Sequence, residues 1–269
     1  MSERTAPPSP VRLVASLEGT PGAPVLVLGN SLGTSSALWQ RQLPVLGRHF
    51  QLLRYEHRGH GPAGGEFSPA PPGPYSIPEL GEDVLALLDR YQVSRALYCG
   101  VSLGGMIGMW LAANAQDRIM GLALVCTSAR LPPAAMWKER AATVRARGTG
   151  VIARQVVSRW FTPAFAAAEP DEPASFEAGL AAIRPDGYAG CCEAIAAMNL
   201  VPQLAAITAP TLVIAGEQDP ATPAWHGAVI ATGIAAARLQ VIRGAAHLAN
   251  VSQAGEVSAA LVRHLAGLT

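Results

Sequence analysis

The chain has 269 residues, half of them hydrophobic and 14% charged, with a formal net charge of +1. That length accommodates one α/β core with an insertion, and the apolar fraction is enough to bury a sheet on both faces. The near-neutral balance supplies no basic field for nucleic acid or an anionic membrane, so small molecules are the expected partners.

In chain order, residues 1–10 are polar and proline-rich without an apolar signal-like run, so a cytoplasmic location is expected. Residues 11–16 are a candidate edge strand. Short apolar runs at 25–28, 51–55, 96–99, 121–126, 211–215 and 239–242 read as strands. Helical periodicity runs over 36–46, 77–91, 103–115 and 253–268, with Ser76 and Glu79 at capping-box spacing before the second. Such alternation predicts a mostly parallel sheet with crossover helices. Residues 62–74 read as a Pro/Gly-rich surface loop.

Between 128 and 205 the alternation gives way to alanine- and arginine-rich helical segments broken by Pro132, Pro133, Pro163, Pro170, Pro173, Pro185 and Pro202. This predicts a helical cap over 128–205, inserted into a core of 1–127 and 206–269. Apolar stretches such as 106–113 fall short of the roughly 20 residues a membrane span needs. Cys99, Cys126, Cys191 and Cys192 lack metal-ligand spacing and are read as reduced packing thiols.

The sharpest chemical signal is Gly100-Val101-Ser102-Leu103-Gly104, followed by Gly105, between an apolar strand and a helix. That is the G-x-S-x-G nucleophile elbow of the α/β-hydrolase fold in its required setting. A serine hydroxyl is a weak nucleophile and needs an oriented base. In this architecture the acid and then the histidine follow the serine, at the ends of later strands. Asp219 follows the 211–215 strand and His247 the 239–242 strand. Glu217 is a rival acid, although Pro220 and Thr222-Pro223 favour Asp219 in the turn. Of the other histidines, His49 and His264 read as surface or packing residues, and His226 competes as the base. His57 and His60 lie close enough to the sheet edge to line the site or to structure a loop. The oxyanion of a tetrahedral intermediate needs preorganised N–H donors. The Leu103 amide is one candidate and Leu32, in the loop 29–34, the other, with Ser31 and Asn30 in loop-structuring or substrate-contact roles.

With these pieces placed, the chain resembles the 3-oxoadipate enol-lactonases of the α/β-hydrolase superfamily over nearly its whole length. The resemblance rests on residues 29–34, 53–61 (LRYEHRGHG), 72–77 (PGPYSI), 99–108 (CGVSLGGMIG), 160–165 (WFTPAF), 187–192 (GYAGCC) and the two triad segments. It implies opening of a lactone ring through an acyl-enzyme on Ser102, with no metal or organic cofactor. It also implies a carboxylate-bearing lactone or ester as substrate, hence a cation facing the pocket. Arg130 is the first candidate for that cation and Trp137 a candidate wall. Glu56, where aspartate is usual, His57, and a longer loop carrying Pro62 depart from the family pattern and are expected near the pocket rim. Competing readings are an esterase or lactonase for a different ester, and a ligand sensor built on the same fold. Oligomeric state is not legible.

Overall fold

The apolar runs of the sequence become the strands of one seven-stranded sheet in the order β1-β3-β2-β4-β5-β6-β7. The computed structural model describes residues 9–268, so most of the proline-rich opening and Thr269 lie outside the described residues. The strands are β1 (Ala15–Gly19), β2 (Val25–Gly29), β3 (Gln51–Tyr55), β4 (Ala96–Val101), β5 (Ile119–Val125), β6 (Thr211–Gly216) and β7 (Ala237–Ile242). β1 pairs antiparallel with β3, and the remaining neighbours are parallel. β4 and β6 are buried at every position, as expected where helices cover both faces of a parallel sheet.

Two sequence expectations shift. The edge strand moves from 11–16 to Ala15–Gly19, because the N–H groups of Val11 and Val14 are held by side chains outside the ladder. Val11 N–H donates to Asp83 at 2.8 Å and Val14 N–H to the Ser68 hydroxyl at 2.9 Å, while Leu13 is buried in the core. The helix expected over 36–46 divides into a 3₁₀ turn (Ser36–Trp39) and the short α1 (Leu43–Leu46), with Pro44 in its first turn. Proline has no N–H to continue a longer helix through that point.

The other core helices are α2 (Ile77–Arg90), α3 (Leu103–Asn114), α9 (Ala224–Gly233), α10 (Ala249–Ser252) and α11 (Ala254–Leu265). Ser76 caps α2 as its spacing foretold, accepting from Glu79 N–H at 3.3 Å and donating to the Glu79 carboxylate at 2.7 Å. The helix α9 was not anticipated, because its apolar residues follow no single stripe. Between β5 and β6 lie α4 (Ala134–Arg147), α5 (Gly150–Val157), α6 (Pro163–Ala168), α7 (Asp171–Ala182) and α8 (Pro185–Ala197). There α4 packs along α8 and α5 along α7. Among the described residues no helix is long and apolar enough to cross a membrane.

Candidate active site

Ser102 stands where β4 turns into α3, at φ 53° and ψ −112°. This is a strained conformation for a residue with a side chain, and it lifts the hydroxyl out of the strand direction. The turn closes only because glycines surround it: a Cβ on Gly104 would meet the Gly29 backbone at 2.5 Å. Gly104 N–H instead donates to Asn30 O at 2.9 Å, joining the elbow to the loop after β2.

Asp219 and His247 come together from the loops after β6 and β7. His247 Nδ1 and Asp219 Oδ2 are 2.8 Å apart. The same carboxylate accepts from Ala221 N–H at 2.7 Å, Thr222 N–H at 3.0 Å and the Thr222 hydroxyl at 2.7 Å. Burial pushes the Asp219 carboxyl up, but the charge and hydrogen bond of His247 and the Thr222 donors outweigh it and hold it at about 2. Glu217 takes no part in the His247–Asp219 contact: its carboxylate accepts from Gly244 N–H at 3.0 Å at the exposed turn.

Ser102 and His247 line one cavity of about 300 Å³ with Ser31, Leu32, Trp137 and Tyr188. Neither Leu32 N–H nor Leu103 N–H has a protein acceptor among the described residues. The peptide unit carrying Leu103 N–H is held from its other side, where Ser102 O accepts from the Thr127 hydroxyl at 2.6 Å. The arrangement places a histidine oriented by a carboxylate and a strained serine on one cavity, with two unengaged amides nearby, a set that can support acyl transfer.

Curated relatives match the chain over most of its length. 3-Oxoadipate enol-lactonase 2 of Acinetobacter baylyi is 40% identical over 235 residues, 87% of this chain and 86% of its own length. The chain belongs to the 3-oxoadipate enol-lactonase family. As a member of the family it is a hydrolase of ester and lactone bonds. A model for the alpha/beta hydrolase fold matches residues 24–150. Among solved structures, an enol-lactonase from Burkholderia xenovorans superimposes with a TM-score of 0.90 at 39% identity, covering 94% of this chain and 96% of that one. A hydrolase from Pseudomonas aeruginosa gives 0.89 at 45% identity, covering 94% of each.

Within this enol-lactonase frame several expectations about the pocket change. Arg130 does not line the cavity: it is exposed, and the Ser128 hydroxyl folds its backbone into a turn by donating to Arg130 O at 2.6 Å. The arginines that do line the cavity are Arg140 and Arg159. Arg140 lies over the Trp137 ring at 4.7 Å, one helical turn along α4, so the spacing from Trp137 was the available signal. Arg159, from the segment after α5, donates to Pro220 O at 2.8 Å. Trp137 is a wall as expected, its indole N–H donating to Leu131 O at 3.0 Å. The Tyr188 hydroxyl is buried in the lining beside the Arg140 guanidinium.

His226 also lines the cavity. Because the Ser128 proton goes to Arg130 O, His226 Nδ1 is the donor in its 2.7 Å contact with Ser128. Glu56, His57 and Pro62 are absent from the cavity wall, and Glu56 and His57 are buried beneath it. Of the departures from the family pattern, Glu56 and His57 are therefore buried, Pro62 is exposed, and none of the three lines this cavity. His49 is exposed, and His264 contacts Leu122 O and Pro210 O at 3.1 and 3.2 Å, away from this cavity.

Proposed function

We propose that the protein opens the lactone ring of 3-oxoadipate enol-lactone, giving 3-oxoadipate, through an acyl-enzyme on Ser102. The observation that carries this reading is the cavity itself, which holds Ser102 and His247 together with Arg140 and Arg159. A guanidinium in a confined site selects a carboxylate. The Tyr188 hydroxyl offers a further donor beside Arg140.

Ser102 Oγ attacks the lactone carbonyl while His247 takes its proton, and Asp219 stabilises the resulting imidazolium. The oxyanion is met by Leu32 N–H and Leu103 N–H. The ring C–O bond then breaks, His247 returns the proton to the departing enol oxygen, and the enol tautomerises to the ketone. Water, deprotonated by His247, cleaves the acyl-enzyme and frees Ser102. In this reading 128–205 acts as a cap that shapes the pocket over a core of 1–127 and 206–269. A cytoplasmic setting fits the four buried, free cysteines.

The test is turnover of freshly generated 3-oxoadipate enol-lactone by the purified protein, with Ser102→Ala as control and a neutral aryl ester as comparison. Fast, Ser102-dependent release of 3-oxoadipate is expected. Brisk ester cleavage without lactone turnover would keep the serine chemistry and discard the substrate.

A further inference from the structure

The loop between β2 and the first 3₁₀ turn is pinned at three consecutive peptide units, and two of the pins are buried histidines. In the unit joining residues 30 and 31, Asn30 O accepts from His57 Nε2 at 2.8 Å as well as from Gly104 N–H. In the next unit Ser31 O accepts from Thr34 N–H at 3.1 Å and from the Thr34 hydroxyl at 2.9 Å. That carbonyl shares its peptide plane with Leu32 N–H, so holding the oxygen on one side aims the N–H to the other. In the third unit Gly33 N–H donates to His60 Nε2 at 3.1 Å. Gly33 sits at φ +83°, a conformation glycine adopts without strain and one that needs an external hold to be fixed.

His60 is suited to that hold by its tautomer. Its Nδ1 lies 2.9 Å from Arg58 O, which can only accept, and its Nε2 faces Gly33 N–H, which can only donate. Only the neutral ring protonated on Nδ1 satisfies both. Arg58 is itself locked by a buried pair with Asp83 at 2.6 and 2.9 Å, so the His60 anchor is fixed at its far end. The rings of His57 and His60 meet edge-on at 5.8 Å, and His60 stacks on Tyr188. Burial pushes both imidazoles down, His57 to about 4 and His60 to about 3, which keeps His60 in the neutral form across the working pH range.

We propose that His60 is a positioning residue for the oxyanion hole: by accepting from Gly33 N–H, with His57 holding Asn30 O, it fixes the direction of Leu32 N–H. This rests on the acyl-transfer reading of the site, in which Leu32 N–H meets the oxyanion. His60 touches neither substrate nor reacting atoms. A residue with this role affects the transition state and leaves ground-state binding largely alone.

The test compares wild type, His60→Leu, His60→Gln and Thr34→Val for ester turnover, for affinity toward an aryl boronate that forms a tetrahedral adduct, and for affinity toward a neutral ester bound by the Ser102→Ala background. His60→Leu is expected to lower kcat and boronate affinity in parallel by about 10- to 100-fold, with substrate affinity changed less than about threefold. His60→Gln, whose amide oxygen can accept from Gly33 N–H, is expected to recover part of both losses. Thr34→Val retains the histidine and removes one of the two holds on Ser31 O, so a smaller parallel loss is expected there, and a loss in His60→Gln relative to wild type carries the argument if His60→Leu does not fold. Equal loss of boronate and ester affinity in the folded variants, or none at all, would overturn the positioning role. A wild-type protein without Ser102-dependent turnover would instead overturn the catalytic reading, and this inference with it.

Discussion

The edge of the sheet and the helices between β5 and β6 face each other across one cavity, and they are built on different physical terms. At the sheet edge, backbone groups are committed: Ser102 O, Asn30 O, Ser31 O and Gly33 N–H each have a fixed partner. The wall formed by α4 and the segment after α5 contributes long side chains on helical scaffolds, Trp137, Arg140 and Arg159. The first region can hold a reacting group to a fraction of an ångström, as acyl transfer requires, and the second can change its lining without disturbing the sheet. Chemistry is expected to reside in the first and choice of substrate in the second.

Substitutions in the two regions should therefore fail in different ways. The largest effect is expected from Ser102→Ala, which should lower kcat on any ester or lactone by at least about 10⁴-fold with little change in KM. Steady-state kinetics on the enol-lactone and on an aryl ester check this, and the loss should be common to both. Asp219→Asn should cost kcat about 10⁴-fold as well, because the amide no longer holds the His247 tautomer.

Arg140→Met tests the other wall. It should raise KM for the anionic lactone by about 10- to 100-fold, the worth of a charge-assisted hydrogen bond of about 1.5–3 kcal/mol, and leave a neutral aryl ester nearly unchanged. An equal loss on both substrates would break the division between the two regions.

Asp219 also has a stability signature. Its carboxyl lies at about 2 when folded, against an ordinary value of 3.8, so the folded state gains from its ionised form above that ordinary value. The gain, about 2 kcal/mol, disappears as the pH falls from about 4 toward 2. Denaturant unfolding at successive pH values should show a shallower acid loss in Asp219→Asn than in wild type. The smallest effect is expected from Arg130→Ala, less than about twofold on the lactone by the same kinetic assay, because the side chain is exposed outside the cavity.

This division also explains what the sequence disclosed. Ser102, Asp219 and His247 were legible because strand-to-loop positions, an elbow of glycines and chain order all constrain them locally. The sheet was legible for the same reason, since runs buried on both faces admit few other readings. The cavity-lining arginine was not, because rotation about a helix axis and the fold of the 128–133 segment decide whether Arg130 or Arg140 meets the cavity. His57 and His60 were recognised as sheet-edge residues, but their partners lie 27 positions away in the chain and appear only when the two loops stack. The helix α9 was missed because its apolar character lacks a period.

The route of the chain through this region has an evolutionary and engineering consequence. The five helices α4 to α8 depart after β5 and rejoin the sheet at β6, the strand hydrogen-bonded beside it from Leu122↔Thr211 to Val125↔Ile214. An excursion that starts and finishes on neighbouring strands leaves the ladder closed behind it, and its fixed attachments include Arg184 N–H to Gly59 O at 3.1 Å and the stacking of Tyr188 on His60. Homologous or redesigned helices grafted at these two junctions, with those attachments kept, would meet the same sheet edge and bring their own guest list.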